Sequence, residues 1–261
     1  PESHNFEALK TKNIQCIAGD SSDILKSLNQ KFDWIYIDPS RRNDAKCKVF
    51  MLRDCLPNVP ELLGFYFSYS ENILIKTAPL LDISAGLLEL SNVKYIHIIA
   101  VDNEVKELLW ELSKDFSGDV IIKTVNILKE KSDFFEFKLN ENSKPVAFGL
   151  PQKYLFEPNS AIMKSGAFDE IGIRYHLDKL HEHSHLYTSD SIIDFPGRIF
   201  EIQNIIPYHK TEMKILLENK KANVTTRNFP DRVEIIRKKW KIKEGGNVYC
   251  FFTTDRNNHK I

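Results

Sequence analysis

The chain has 261 residues, of which 42% are hydrophobic and 28% charged, with 36 basic side chains balancing 36 acidic ones. That composition excludes a disordered or fibrous protein, no apolar run reaches the ~18 residues of a bilayer span, and four scattered cysteines without a C-x-x-C pair argue against a disulfide scaffold or a zinc site in a cytoplasmic protein. Charge is unevenly spread: residues 207–261 hold 13 Lys and Arg against 6 Asp and Glu, leaving 23 against 30 for the rest, so a basic C-terminal module sits on a mildly acidic body.

In chain order, "NIQCIAGD" (13–20) reads as a strand and "SSDILKSLNQ" (21–30) as a serine-capped helix. The apolar run 32–37 predicts a strand covered on both faces. Helices are expected around 46–55 and 60–70, a strand over 72–79, a short helix over 83–90 and a strand over 94–102. A helix over 104–115 and strands over 120–128 and 134–139 complete the body. Strands separated by helices predict a parallel, doubly wound α/β sheet. The polar stretch "NENSKP" (140–145) marks a boundary, and "DFPGR" (194–198) a second break after a loop-rich region. The last stretch predicts strand, helix (209–219), strand (222–226), helix (231–240) and strand (247–253), a small α+β module.

The run "FDWIYIDPSRR" (32–42) ends a buried strand on a carboxylate. In open α/β sheets ligands bind beyond the carboxyl ends of the strands, where Asp38 stands. Pro39 directs the loop away from the sheet. Asp20 takes the equivalent place on the strand before, and two such acids suit a pocket that accepts hydrogen bonds from a ligand's amino or hydroxyl groups.

"IAGD" followed by "FDWIYIDPSRR" resembles the middle of a class I S-adenosylmethionine-dependent methyltransferase. "YLFEPNSAIMKSGAF" (154–168), "HLYTS" (185–189), "FPGRIFEI" (195–202) and "ANVTTRNFP" (222–230) are similar to bacterial methyltransferases with a ferredoxin-like insert and a THUMP-like tail. The resemblance implies a Rossmann-like α/β sheet over 1–144, a ferredoxin-like linking module over 145–194 and a THUMP-like α+β domain over 195–261. It implies S-adenosyl-L-methionine as cofactor and RNA (tRNA or rRNA) as substrate. It makes Asp20 an adenine contact and has Asp38, Pro39 and Ser40 line the reaction site, with Arg41 or Arg42 reaching substrate phosphate. The family's first strands and glycine-rich cofactor turn have no counterpart before residue 13, so an N-terminally truncated protein is expected.

This loop reads Asp-Pro-Ser-Arg where the family has Asp/Asn-Pro-Pro-aromatic. A rival reading therefore stays open: a non-catalytic RNA- or protein-binding protein on a degenerate methyltransferase fold. In the basic tail, Lys220, Lys221, Arg227, Arg232, Arg237 and Lys238 are candidates for phosphate contacts, Phe229 and Trp240 for base stacking, and Asp231 for a helix cap. Four histidines within "HLDKLHEHSH" (His176, His181, His183, His185) read as an exposed turn or domain contact, because an i, i+2 spacing in a loop is a poor tetrahedral cage.

Overall fold

The computed structural model describes residues 5–6, 8–11, 13–41, 51–141 and 145–261. The elements in order are helix α1 (Ser21–Leu28), strands β1 (Ile35–Ile37), β2 (Ser40–Arg41) and β3 (Cys55–Leu56), helix α2 (Val59–Tyr66), strand β4 (Asn72–Thr77) and helix α3 (Ile83–Glu89). Four strands follow, β5 (Val93–Val101), β6 (Glu104–Ser113), β7 (Ile121–Ile127) and β8 (Ser132–Lys138). Then come β9 (Tyr154–Pro158), α4 (Ser160–Ser165), α5 (Phe168–Tyr175), β10 (Asp178–Lys179), β11 (Tyr187–Ser189) and β12 (Gly197–Glu201). The chain closes with α6 (Lys210–Leu216), β13 (Asn223–Thr226), α7 (Val233–Trp240) and β14 (Tyr249–Phe252).

The main sheet has six strands in the order β1-β4-β6-β5-β7-β8. It is mixed, not all parallel: β1 runs parallel to β4 and β5 to β7, while β6 is antiparallel to both β4 and β5. The segment expected as a helix, 104–115, is β6. Its Leu108, Trp110 and Leu112 are fully buried at every second position, as the pleat requires. Asp102 and Asn103 adopt positive φ (49° and 63°) and turn the chain in two residues, so β5 and β6 form a hairpin. The expected strand over 13–20 pairs with nothing among the described residues, and extended backbone without a neighbour forms no ladder. The expected helix over 46–55 falls mostly outside the described residues. Only a single 3-10 turn, Leu52–Asp54, is seen there.

One face of the sheet carries the core. Ile73, Ile75, Ile96, Ile98, Leu108, Trp110 and Ile122 meet Leu63, Ile83 and residues of α4 and α5 in one continuous cluster. Trp110 packs its six-membered ring against Gly86 of α3, where an added Cβ would stand 2.3 Å from the ring, and its Nε1 donates to Thr77 Oγ1 at 2.9 Å. The opposite face, with Tyr36, Lys76, His97, Glu107, Lys123 and Phe134, stays partly or fully exposed. The double-sided cover expected for β1 is therefore replaced by a single-sided one: Ile37 is buried, while Tyr36 is exposed.

A second sheet, β10-β11-β9-β12, packs one side on this core through Phe156, Tyr187 and Phe195 and the other on the C-terminal module through Leu155, Leu180 and Leu186. At the expected break, Gly197 opens β12 so close to β9 that a Cβ would lie 2.2 Å from Glu157 O, which only glycine permits. The C-terminal module folds around its own core of Met213, Val224, Ile236, Trp240 and Phe252, with β13 and β14 parallel. Among the described residues no helix is long and apolar enough to cross a membrane.

Candidate functional site

The carboxyl ends of β1, β4 and β5 and the β5–β6 turn lie at one end of the main sheet, because β6 returns antiparallel between β4 and β5. Asp38 follows β1 directly and is half exposed (50%). Its Oδ2 lies 2.7 Å from Lys76 Nζ, and Lys76 also stands 3.8 Å from Glu107 of β6. The pairing register explains the meeting: Ile37 lies opposite Ile75, which sets Asp38 beside Lys76. The hydrogen bond to Asp38 raises the Lys76 pKa and keeps the ammonium charged. Burial, and after it the Asp38 charge, raises that of the neighbouring Tyr36. Lys76 and Glu107 escaped the sequence reading, although a lone lysine late in the apolar run "NILIKTAP" (72–79) is the kind of charge that a strand end exposes to a ligand.

Ser40 and Arg41 do not stand free as loop residues. They form β2 and pair antiparallel with Cys55–Leu56, and Ser40 Oγ donates to Leu56 O at 3.3 Å. Pro39 bridges β1 and β2. Arg42 lies outside the described residues. Asp20, expected at a strand end, is the N-cap of α1, a place the sequence reading gave to a serine. Its Oδ1 accepts from the backbone N–H groups of Ser22 (2.9 Å) and Asp23 (3.2 Å), which satisfies two otherwise orphaned helix donors. Oδ2 has no protein partner among the described residues.

The six basic candidates divide into two groups. Arg227 donates to Glu157 Oε1 at 2.9 Å, and Arg198 reaches the same carboxylate through Nε and Nη2. Glu157 is 4% exposed, so Arg227 belongs to a clamp around a buried carboxylate that joins β9, β12 and the residue after β13. Arg237 pairs with Glu244 at 3.0 Å. Lys220, Lys221, Arg232 and Lys238 are exposed. Phe229 packs edge-on against Tyr208 and Phe252, and Trp240 is buried in the module's core, so both serve packing. Asp231 does not cap α7. It accepts from Tyr208 Oη at 3.1 Å, and Arg232 occupies the cap position without a side-chain bond.

The histidine group joins the second sheet to the C-terminal module. His181 Nδ1 lies 3.0 Å from Asn228 Nδ2 and receives the His183 N–H at 3.1 Å. Two donors at Nδ1 put the proton on Nε2, which gives it to Asn258 Oδ1 at 3.1 Å. His185 stacks on Phe168 at 3.6 Å, and burial pulls its pKa down to about 4. Among the described residues no group of three His, Cys, Asp or Glu is placed to hold a metal ion.

Residues 154–196 match the model of a ferredoxin-like domain and residues 197–261 that of a THUMP domain-like family. Comparison with curated proteins gives no match. Among solved structures, the chain is similar to one described as "Crystal structure of putative methyltransferase from Porphyromonas gingivalis W83". The two share 32% identity and a TM-score of 0.81 over 92% of this chain and 60% of that one. This chain thus spans about three-fifths of that protein's length. It carries a ferredoxin-like domain followed by a THUMP-like domain, joined to a six-stranded mixed sheet whose fold it shares with that structure.

Proposed function

We propose that this chain belongs to a cytoplasmic, S-adenosyl-L-methionine-dependent methyltransferase acting on RNA (tRNA or rRNA). The observation that carries the reading is Asp38: a half-exposed carboxylate at the carboxyl end of a strand, in a sheet that resembles a methyltransferase structure at 32% identity. When bound, the cofactor supplies an electrophilic sulfonium methyl. The residues present fit it in part, since Asp20 keeps Oδ2 for an adenine amino group and Asp38 keeps Oδ1 for the reacting end.

In this reading Asp38 is the residue that acts on the nucleophile. Lys76 holds Oδ2, which fixes the carboxylate and leaves Oδ1 to accept a hydrogen bond from the N–H or O–H that will be methylated. Pro39 sets the direction of the loop. Ser40 spends its hydroxyl on Leu56 O and so supports the loop instead of touching substrate. The THUMP-like domain and its exposed lysines supply the RNA contact.

The test is transfer of labelled methyl from S-adenosyl-L-methionine to unmodified tRNA and rRNA by the protein as encoded in full. Asp38→Ala should cut transfer by about 100-fold or more while RNA affinity stays. Wild-type transfer by that variant would reduce Asp38 to a strand-end acid. The Lys76 ion pair also favours a second reading, a binding protein on an inactive sheet, because it partly neutralises Asp38. Robust methyl transfer excludes it.

A further inference from the structure

Two strand edges face a common groove. β12 is the outer strand of the second sheet, and among the described residues β14 pairs only with β13. Between them lies a cavity of about 710 Å3, lined by Leu155, Leu180, Phe200, Ile202, Tyr249 and Phe251 among others. Its size and mostly apolar lining fall in the range of ligand sites, and Asn204 and Asn247 add amide groups that can both donate and accept.

The groove's aromatic wall is already ordered. Phe200 meets Tyr249 at 5.0 Å and Phe251 at 4.9 Å. The Arg198 guanidinium stands 5.3 Å over Phe200 and 5.5 Å over Tyr249, while Glu157 holds its other side. Tyr249 nonetheless remains 43% exposed. A planar cation and a half-open phenol ring, both fixed before any ligand arrives, form a stacking platform that costs little to order.

The surroundings decide what would stack there. Backbone pairing gathers four exposed lysines: Lys221 bridges Lys243, the Lys243 N–H donates to Lys220 O at 2.8 Å, and Lys241 is two residues before Lys243. The nearest acid in that loop, Glu244, is taken by Arg237. Crowding like charges destabilises the free module, and a polyanion offsets that cost. Gly245 and Gly246, at φ 94° and 87°, then carry the chain past Lys221 straight to Asn247 at the groove's rim. Phosphate-binding charge and aromatic platform are thus consecutive along one loop.

We infer that this groove takes an unpaired RNA base, stacked on Tyr249 beside Arg198, while the strand's phosphates run over Lys220, Lys221, Lys241 and Lys243. The inference rests on the RNA half of the proposed function and not on methyl transfer. The experiment is anisotropy with the 261-residue chain and a fluorescein-labelled 12-nucleotide RNA of mixed sequence, single-stranded or annealed to its complement. Tyr249→Ala should weaken the single strand by about 5- to 100-fold and leave the duplex unchanged. Tyr249→Phe should bind as the wild type does. Lys221→Ala with Lys243→Ala should weaken both forms and make the single-strand salt slope shallower by about 1.4. If Tyr249→Ala folds and binds single strands normally, or loses both forms equally, no base enters the groove, which would then suit a peptide strand; RNA binding itself would survive. If the wild-type chain binds neither form, the RNA reading falls and takes the groove with it.

Discussion

Glu157→Gln probes the clamp that ties the C-terminal module to the rest of the chain. The substitution keeps the volume of a side chain only 4% exposed, removes its charge, and turns an NH2 donor toward one of two arginines that can only donate. Breaking a buried pair costs about 3–5 kcal/mol when the remaining charge is stranded. Here Arg198 and Arg227 keep 45% and 34% of their side-chain surface in water, which rehydrates part of each charge, so about 2–3 kcal/mol is expected. For a chain of this size that corresponds to a Tm lowered by roughly 4–10 °C. Urea unfolding and differential scanning calorimetry measure both quantities. Arg227→Gln should cost a similar amount and leave the salt dependence of RNA binding unaltered. A loss under 0.5 kcal/mol for Glu157→Gln, or a shallower salt slope for Arg227→Gln, would refute the clamp and return Arg227 to the phosphate-binding set.

Gly86→Ala should destabilise the main core by about 3 kcal/mol in denaturant titration, since its methyl would enter the Trp110 ring and that ring is fixed by its bond to Thr77. His185 sets a pH dependence: its folded pKa of about 4 lies below the usual 6.5, so the unfolded chain binds the extra proton. Its contribution is complete above about pH 6.5 and is lost as pH falls toward 4; with allowance for the ring's partial solvation it amounts to about 2 kcal/mol. Stability measured between pH 7 and 4.5 should fall less in His185→Asn than in the wild type. Lys76→Met should leave the thermal unfolding midpoint unchanged, as expected for a solvated pair, yet reduce methyl transfer by the full protein.

Several features of this protein were legible from local residue order. The apolar run ending at Asp38 and the alternation of helix 231–240 with strands 222–226 and 247–253 carry their own local periodicities, which is why the C-terminal strand and helix pattern was readable without coordinates. Segment 104–113 was not, since Val105, Leu108, Leu109 and Leu112 satisfy a helical spacing while Leu108, Trp110 and Leu112 satisfy a pleated one. Two neighbours, β4 and β5, settle that ambiguity by supplying backbone partners on both sides. Side-chain pairing is nonlocal in the same sense. Arg227 lies 70 residues from Glu157, and Lys76 lies 38 from Asp38, so no window of sequence could say which basic groups are engaged and which stay open to a ligand. Local patterns determined where the carboxylate and the lysines sit along the chain; the folded arrangement decided which charges neutralise one another, because an ion pair needs two side chains within about 4 Å whatever their separation in sequence.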